Sequence, residues 1–380
     1  MTYDYLIVGV GFTGAVLAER IASQLDQKVL LIDRRDHIAG NAFDCLDPHG
    51  IRIHKYGPHL FHTNSDKVWR YLSRFTEWQP YEHRVLAQIS GQLVPVPFNL
   101  TSLQTLFPAA EAQRLETLLV KGFGRGANVP ILKLREAAAA DAAATELAPL
   151  ADYVYDNVFH GYTVKQWGLT PEELGPAVMS RVPVRISHDD RYFQDQYQAL
   201  PRDGYTAMVR RILDHPNIEV ALGTDFAVVA NDLSFDRLIY TGPIDAYFEH
   251  RHGALPYRSL RFDFEHLPET EYFQAATQVN YPNSEAYTRI TEFKHATGQQ
   301  ATGTTISREY PEAYTVGQNE PYYPIPLPEH RALLARYQKD AYQLNTVTFA
   351  GRLADYRYYN MDQAVAHALT VFERGLSGSS

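Results

Sequence analysis

The hydrophobic positions at the start of the chain follow the pattern of a strand, a tight turn, a helix and a second strand. Residues 5–8 form a short apolar run that ends at a glycine, which is typical of a buried parallel strand. Phe12–Leu25 has helical spacing of its apolar side chains, and residues 28–33 form a second apolar run. Together they predict a βαβ unit, which takes about thirty residues.

The pattern changes twice in the next part of the chain. Residues 36–65 are rich in Gly, Asn, Asp and His, which predicts loops lying over a cofactor. Residues 92–98 alternate between apolar and polar but contain two prolines, so they predict an edge strand or an extended segment. The alanine-rich residues 135–152 favour a helix, and residues 101–180 predict a mainly helical lobe.

The second half of the chain mixes strands and helices. Residues 182–200 have an extended pattern, and helices are predicted over residues 205–213 and 362–376. Short β-rich runs bounded by turn residues predict strands over residues 218–222, 237–241, 258–264, 275–280, 287–293 and 347–350. The strands over residues 258–264, 275–280 and 287–293 are expected to be antiparallel.

The turn after the first strand carries a glycine pattern. Residues 9–14 are Gly-Val-Gly-Phe-Thr-Gly, a G-x-G-x-x-G sequence between a strand and a helix. Such glycines allow a tight turn and a close approach of the backbone to a pyrophosphate, which the helix N-terminus attracts. Asp33 ends the second strand, where a carboxylate accepts hydrogen bonds from an adenosine ribose. The unit therefore predicts a dinucleotide site.

Two further features favour FAD over NAD. A basic segment that contains a glycine, residues 34–41, follows Asp33 beside the expected pyrophosphate. Near the carboxyl end a predicted helix begins near Met361, where its N-terminus can face the flavin pyrimidine edge. The candidate FAD-binding residues from these patterns are Gly9, Gly11, Phe12, Thr13, Gly14, Asp33, Arg34, Gly40, Asn41, Gly351, Met361 and Asp362.

Composition narrows the class of ligand. The formal net charge of −9 disfavours a nucleic-acid partner, although a few local arginines can still hold a small diphosphate. The 26 tyrosines suit sugars, nucleobases and phosphates, but most of them are expected to fill the edges of the core. Cys45 is the only cysteine, no apolar run is long enough for a membrane span, and the start lacks a basic secretory signal. We therefore expect a cytoplasmic protein with no membrane partner.

Several polar segments admit more than one interpretation. His54, His59 and His62 lie close together without a carboxylate or thiol at regular spacing, so we expect cofactor contact or loop hydrogen bonds and no metal. Residues 161–168, Gly-Tyr-Thr-Val-Lys-Gln-Trp-Gly, can stack a uracil, or can end a helix around a buried tryptophan. The candidate phosphate ligands are Arg181, Arg185, Arg289 and the tyrosines of residues 321–324 and 356–359.

Taken together, these segments resemble the UDP-galactopyranose mutases, a family of bacterial flavoenzymes. Residues 161–168 are the most specific match, far more so than the glycine pattern. The resemblance covers nearly the whole chain, and its other matching segments are residues 9–14, 56–63, 181–185, 189–193, 240–245, 287–291, 320–324 and 351–356.

The resemblance implies interconversion of UDP-galactopyranose and UDP-galactofuranose with no net redox change. It implies FAD that must be reduced, with an external reductant such as NAD(P)H or a reductase. In that family, N5 of the reduced flavin forms a covalent adduct with the anomeric carbon before the sugar ring opens and closes again. The family is usually homodimeric and serves cell-wall or polysaccharide biosynthesis.

The resemblance also assigns roles to single residues. Arg181 and Arg289 would be catalytic residues that clamp the diphosphate, and His59 would lie near the isoalloxazine as a catalytic and cofactor-binding residue. Arg352 would contact the FAD pyrophosphate, and residues 167–181 would form a mobile flap that closes over the substrate. The implied substrate-binding residues are Tyr162, Thr163, Trp167, Asn280, Tyr323, Tyr358, Asn360 and His83.

Three residues depart from the family pattern. Asn360 stands where better-known members carry Asp near the diphosphate, a change expected to tighten binding by about 1 kcal/mol. His83 stands where Asn is expected near the sugar, which would alter the sugar preference. Ala39 replaces the first glycine of a Gly-Gly-Asn loop, and we expect it to be tolerated if its backbone has an ordinary conformation.

The predicted fold class is α/β, with a Rossmann-like FAD-binding domain, a mainly helical lobe and an antiparallel β-sheet domain. Two alternative functions are a related mutase acting on UDP-N-acetylgalactose or dTDP-fucose, and an amine-oxidase-type flavin oxidoreductase, which would not need a diphosphate clamp. The predicted domain boundaries are residues 1–79, 204–250 and 326–380 for FAD binding, 99–180 for the helical lobe, and 80–98, 181–203 and 251–325 for the sheet.

Overall fold

The structure is a computed structural model that describes residues 2–140, 145–174, 179, 182–325 and 327–376. Its strands are β1 (Thr2–Val8), β2 (Val29–Asp33), β3 (Asp44–Leu46), β4 (Arg52–His54), β5 (Phe61–Thr63), β6 (Trp78–Pro80), β7 (Val85–Ile89), β8 (Gln92–Val96), β9 (Asn128–Val129), β10 (Val184–Arg185), β11 (Tyr197–Pro201), β12 (Ile218–Leu222), β13 (Ser234–Tyr240), β14 (Tyr257–Leu267), β15 (Gln278–Asn280), β16 (Arg289–Glu292), β17 (Thr304–Ala313), β18 (Tyr323–Pro324) and β19 (Val347–Phe349).

The helices in the same residues include two stretches of π-helix, Tyr155–His160 and Phe372–Leu376. The α-helices are α1 (Phe12–Leu25), α2 (Asp66–Leu72), α3 (Leu100–Leu106), α4 (Ala109–Phe123), α5 (Ile131–Ala140), α6 (Ala148–Val154), α7 (Gly161–Trp167), α8 (Pro171–Leu174), α9 (Tyr205–Ile212), α10 (Phe226–Val229), α11 (Ile244–Tyr247), α12 (Lys294–Thr297), α13 (Pro328–Ala341) and α14 (Met361–Val371).

A five-stranded parallel sheet is built from both ends and the middle of the chain. Its strand order is β12, β2, β1, β13 and β19. Apolar side chains of α1, α9 and α14, such as Val16, Met208 and Leu369, pack in one core with residues of β1 and β2. Because helices cover the sheet, its strands are continuous apolar runs, and the predicted βαβ unit is confirmed.

A seven-stranded sheet carries the other half of the molecule. Its order is β18, β14, β17, β16, β15, β7 and β8, and all pairs are antiparallel except β15 with β7. The predicted edge strand is confirmed as β8. The register places Asn280, Arg289 and Glu309 side by side on β15, β16 and β17.

The helical lobe packs against the β7–β8 edge of this sheet. Leu115, Leu134 and Val154 from α4, α5 and α6 share one core with Val85 and Val94 of the sheet. The predicted helix over residues 135–152 is confirmed where α5 and α6 cover it, and residues 141–144 lie outside the described residues.

Two predictions about local structure were wrong. Residues 36–65, expected to be loops, contain β3, β4 and β5, which are three residues each and too short to show alternation. Strand β17 was not predicted, because several of its buried residues are polar. Ser307 and Glu309 are each 2% exposed, so burial there does not appear as an apolar pattern.

Candidate active site

The turn between β1 and α1 is closed by glycines that leave no room for side chains. A Cβ atom added to Gly14 would lie 2.0 Å from the carbonyl oxygen of Gly9, and one added to Gly9 would lie 2.1 Å from Thr241 Oγ1. Gly40 approaches from the next segment, where an added Cβ would lie 2.9 Å from Gly11 Cα. The backbones of two segments therefore meet at the N-terminus of α1, an arrangement that attracts phosphate.

Asp33 lies beside this turn, as its position after β2 indicated. Its Oδ2 accepts a hydrogen bond from the Val10 N–H at 2.9 Å, and its Oδ1 accepts one from the Arg35 N–H at 3.0 Å. Each carboxylate oxygen has a further lone pair, so the fixed group can still accept hydrogen bonds from ribose hydroxyls.

The basic segment after Asp33 is held by a carboxylate from a distant part of the chain. Arg34 Nη2 donates to Glu320 Oε2 at 2.6 Å, and Arg35 Nη2 donates to the same oxygen at 2.8 Å. Arg35 Nη1 also donates to Asn41 Oδ1 at 2.9 Å. The positive charge of this segment is therefore partly compensated, and Asn41 is oriented by Arg35.

The carboxyl-terminal part of the chain returns to the same place. A Cβ atom added to Gly351, whose φ is +108°, would lie 3.1 Å from Thr13 Oγ1 in α1. Asp362, in the first turn of α14, accepts a hydrogen bond from Thr63 Oγ1 at 3.0 Å. Its Oδ1 is buried and has no hydrogen-bond partner among the described residues. The two ends of the chain therefore lie next to one another at the N-terminus of α1.

Two neutral histidines lie next to one another, one at the end of β4 and one in the loop that joins β4 to β5. His59 Nδ1 lies 2.8 Å from the Gly57 carbonyl oxygen, and the His59 backbone N–H donates to His54 Nδ1 at 2.9 Å. Burial lowers the pKa of His59 to about 3 and the pKa of His54 to about 4. Since a carbonyl only accepts, His59 Nδ1 carries the ring proton and Nε2 is an acceptor.

The third histidine of that segment is engaged elsewhere. His62 Nδ1 bonds Asp195 Oδ2 at 2.9 Å, and its ring stacks on Phe193 with centroids 3.6 Å apart. Within the described ranges, no group of three or more His, Cys, Asp or Glu side chains is placed to hold a metal ion.

A buried ion pair marks the face of the seven-stranded sheet. Arg289 Nη2 donates to Glu309 Oε1 at 2.8 Å, and the two side chains are 17% and 3% exposed. Burial acts against the charged guanidinium, but the Glu309 carboxylate outweighs it, and the pKa of Arg289 is raised well above its usual value. Arg289 Nε is buried without a hydrogen-bond partner in the described part of the chain, so the group has a donor for an anion.

Aromatic rings stand beside this pair. Tyr323 and Tyr358 stack with centroids 5.0 Å apart, and the Trp167 ring is 6.1 Å from Tyr323. The Arg352 guanidinium lies 5.4 Å from the Tyr358 ring centre and donates to the Tyr359 carbonyl. Burial raises the pKa of Tyr323 well above its usual value, so its hydroxyl is a donor at neutral pH.

Three of the other predicted substrate-binding residues, Tyr162, His83 and Asn280, lie near Arg289. Burial raises the pKa of Tyr162, although the nearby Arg289 guanidinium opposes the shift. Burial, reinforced by the same guanidinium, lowers the pKa of His83 to about 3. Asn280 is buried, and Thr163 is buried beside Tyr162 in α7. Residues from β15, β16, β18, α7 and two loops are thus brought to one face.

Of the other two candidate arginines, one lies outside the described residues and the other is engaged elsewhere. Arg181 lies outside the described residues, as do residues 175–178 and 180 of the predicted flap. Arg185 is buried, and its guanidinium donates to the carbonyls of Arg191 and Tyr192, the second at 2.7 Å. Through these hydrogen bonds Arg185 stabilises the local fold.

The chain was compared with known families and structures. A family model for UDP-galactopyranose mutase matches residues 157–358, and a model for an NAD(P)-binding Rossmann-like domain matches residues 7–75. The chain is 37% identical over 378 residues to a probable UDP-galactopyranose mutase of Klebsiella pneumoniae, covering 98% of this chain and 95% of the relative. It is 33% identical over 372 residues to a dTDP-fucopyranose mutase of Escherichia coli, covering 96% of each. A crystal structure of reduced UDP-galactopyranose mutase matches with a TM-score of 0.73 and 16% identity, covering 99% of this chain and 94% of that one.

The chain belongs to the UDP-galactopyranose mutase family. Enzymes of this family are isomerases, so the predicted enzyme class is confirmed together with the resemblance. The Rossmann-like match and the two sheets confirm the predicted fold class. The helices of the described ranges include none that is both long and apolar enough to cross a bilayer.

One departure from the mutase family pattern needs correction. Ala39 has a φ of 71° and is 1% exposed, so the condition under which we expected it to be tolerated, an ordinary backbone conformation, is not met. A residue with a Cβ atom is disfavoured in the left-handed region by roughly 1–2 kcal/mol. Ala39 is therefore a strained position, and it directly precedes the turn that carries Gly40 and Asn41.

Sequence reasoning assigned no role to two carboxylates that order the site, Glu309 and Glu320. Glu309 pairs with Arg289, and Glu320 pairs with Arg34 and Arg35. A buried guanidinium requires an opposite charge nearby, so a partner for Arg289 could have been sought among the carboxylates. The missing prediction of β17 concealed which carboxylate it is.

Proposed function

We propose that the protein interconverts UDP-galactopyranose and UDP-galactofuranose with reduced FAD as cofactor and without net redox change. The observation that carries this proposal is the buried Arg289–Glu309 pair with tyrosine hydroxyls around it. A fixed positive charge with neutral hydroxyl donors is the set of groups that binds a diphosphate. Membership of the mutase family supports the identity of the nucleotide sugar.

The first half of the site fits FAD. Its glycine backbones meet at the N-terminus of α1, which attracts phosphate, and the buried Asp362 Oδ1 has no hydrogen-bond partner among the described residues. When bound and reduced, FAD would supply a nitrogen nucleophile for the anomeric carbon of the sugar. It would be held by Gly9, Gly11, Phe12, Thr13, Gly14, Asp33, Arg34, Gly40, Asn41, His59, Gly351, Arg352, Met361 and Asp362.

The protein's charged residues would act on the leaving group. UDP departs as an anion, so the Arg289 guanidinium stabilises the transition state more than the ground state. Glu309 keeps that guanidinium in place, and Tyr323 and Tyr358 donate hydroxyl hydrogen bonds to the same diphosphate. We propose Arg181 as a second arginine on the diphosphate.

Aromatic and amide side chains would hold the remaining parts of the substrate. Trp167 offers a flat face next to the Tyr323–Tyr358 stack, which suits the uracil ring. Tyr162 and the buried His83 lie near Arg289, where the sugar would be placed. The remaining proposed substrate-binding residues are Thr163, Asn280 and Asn360.

His59 would lie against the flavin in its neutral form. Its hydrogen bond to Gly57 fixes the tautomer, so the ring brings no charge to the cofactor at pH 7. Since the sugar's oxidation state does not change, electrons are needed only to prepare the cofactor. We propose that NAD(P)H or a reductase supplies them and that the protein is a homodimer.

The test is anaerobic conversion of UDP-galactofuranose, followed by anion-exchange chromatography. We expect UDP-galactopyranose from dithionite-reduced enzyme and none from oxidised enzyme. The same assay with dTDP-fucofuranose serves as a matched substrate, and we expect slower conversion. A reduced, flavin-loaded enzyme that leaves UDP-galactofuranose unchanged would rule the proposal out.

A further inference from the structure

One lysine joins the helix that carries Tyr162 and Trp167 to the loop that precedes Arg289. Lys165 lies in α7, and its Nζ donates to three backbone carbonyls of residues 281–287. Two of these distances are 2.9 Å to Glu285 and 3.2 Å to Tyr287. An ammonium group has three protons, so every donor of Lys165 is used on this loop.

Two further contacts hold the same helix. A Cβ atom added to Gly161, at its start, would lie 2.3 Å from the Pro282 carbonyl oxygen, so helix and loop touch through their backbones. At its end, Arg258 of β14 donates to the carbonyls of Gln166 at 3.0 Å and Lys165 at 3.3 Å. A cation is favourable there because the last carbonyls of a helix lack intrahelical partners.

The loop and the helix each carry substrate-facing residues. Residues 281–288 connect Asn280 at the end of β15 to Arg289 at the start of β16. We propose that Lys165, assisted by Arg258, is a positioning residue. It fixes the distance between helix α7 and the loop of residues 281–288 before the substrate binds. This inference rests on the proposed function. A helix and a loop that are already ordered lose less conformational freedom on binding, so the nucleotide binds more tightly.

The chain contains a second lysine with the same kind of hydrogen bonding. Lys294 in α12 is 2% exposed. Its Nζ donates to the carbonyls of Glu271, Ala301 and Gly303 at 3.1, 2.8 and 2.9 Å. These loops carry none of the proposed substrate-binding residues. Lys294 therefore provides a control that loses the same chemical interactions away from the substrate.

The experiment compares Lys165→Met with Lys294→Met as FAD-loaded proteins. The affinity for UDP is measured by calorimetry on oxidised enzyme, together with the flavin-to-protein ratio and the melting temperature. Under reduction, kcat and KM for UDP-galactofuranose are then determined. We expect Lys165→Met to raise Kd and KM about tenfold with kcat within about threefold, and Lys294→Met to lower the melting temperature with Kd unchanged.

An unchanged Kd in Lys165→Met, or an equal rise in both variants, would overturn the inference. If Lys165→Met does not fold, Arg258→Met loosens the same helix at its other end. We expect this variant to raise Kd for UDP severalfold, and an unchanged Kd would again overturn the inference. A wild-type protein that does not bind UDP would instead contradict the proposed function itself.

Discussion

The region around Gly9 and the region around Arg289, which we propose as two phosphate-binding regions, differ in the groups that they would offer. Around Gly9 the partner is backbone, brought close by glycines whose added Cβ atoms would clash with neighbouring main chain. Around Arg289 the partner is a buried guanidinium set against Glu309 and ringed by tyrosines. The first region is assembled mainly from a βα turn, whereas the second converges from distant segments.

The difference teaches where each kind of recognition is vulnerable. A backbone site fails when a side chain enters it, and the fold around it can remain intact. A side-chain site fails when one charge is removed, because the partner charge is then left buried and uncompensated. The two regions should therefore respond to mutation in separable ways.

The largest expected effect is on turnover, in the side-chain region. Arg289→Ala should lower kcat/KM about a thousandfold, because the leaving diphosphate loses its buried counter-charge. The flavin-to-protein ratio should stay at the wild-type value. Both quantities are measured on the reduced and oxidised protein, by anaerobic kinetics and by absorbance.

Two controls separate chemistry from folding. Arg308, the neighbour of Glu309 in β17, pairs with Glu265 at its side chain, and Arg308→Ala should leave turnover unchanged. Adding Glu309→Gln to Arg289→Ala removes the unpaired buried carboxylate and should restore stability without restoring turnover. If Arg289→Ala protein loses its flavin, then the residue belongs to the other region and our assignment fails.

The matching experiment in the backbone region is Gly11→Ala. A Cβ atom there would lie 3.8 Å from Gly40 Cα, an ordinary contact, so the protein itself has room for it. The methyl group would occupy space proposed for the pyrophosphate, and FAD affinity should fall about tenfold to a hundredfold. Flavin content and apoprotein melting temperature are measured, with Gly122→Ala as control because nothing lies within 4 Å of its added Cβ. Full flavin content in Gly11→Ala would contradict the proposal that the glycine turn binds the FAD pyrophosphate.

These two regions also show what the sequence can predict. The glycine turn, Asp33 and the last helix were found from local patterns, because each is a property of a few consecutive residues. The Arg289–Glu309 pair depends on strand register across β16 and β17, and the buried polar residues of β17 hid that strand. For that reason most substrate-side residues came from the family resemblance.

The conformation of Ala39 shows the same limit on a smaller scale. Its identity as a departure from Gly-Gly-Asn could be read from the sequence, but its φ of 71° could not. The pairing of both Arg34 and Arg35 with Glu320 was hidden for a similar reason, since 285 residues separate Arg35 from Glu320.

The two regions each contain a buried histidine, which predicts acid sensitivity. Burial lowers the pKa of His54 to about 4 and that of His83 to about 3, against about 6.5 in an unfolded chain. Between these values the unfolded chain binds protons that the folded protein does not, so stability falls as pH falls. From pH 6.5 to pH 5 each histidine should remove about 1.5 kcal/mol of unfolding free energy.

Urea unfolding of the apoprotein at the two pH values measures this loss. His83→Asn should remove the part of this pH-dependent loss that comes from the histidine near Arg289. His54→Asn should remove the part that comes from the histidine next to His59. Each variant is compared with itself at the two pH values, so a constant loss of packing cancels. If both variants keep the full pH dependence of the wild type, the titrating groups lie elsewhere.

The smallest expected effect concerns strain in the backbone region. Ala39→Gly should raise the unfolding free energy by about 0.5–1 kcal/mol, since relief of the left-handed strain exceeds the added entropy of the unfolded chain. Ala335→Gly, in the middle of α13, should change stability by a similar amount in the opposite direction. Thermal unfolding of the two variants compares their stabilities directly. A loss of stability in Ala39→Gly would contradict the inference that the backbone of Ala39 is strained.

The central proposal is that the backbone region would hold reduced FAD, and that its N5 would bond to the anomeric carbon of the sugar placed by the side-chain region. Cyanoborohydride trapping tests it, with UDP-galactose labelled in the sugar and anaerobic, dithionite-reduced enzyme. We expect mass spectrometry of the released cofactor to show FAD carrying one galactose, with label on the flavin and none when the enzyme is oxidised. Conversion of the substrate with no label on the flavin would contradict the account.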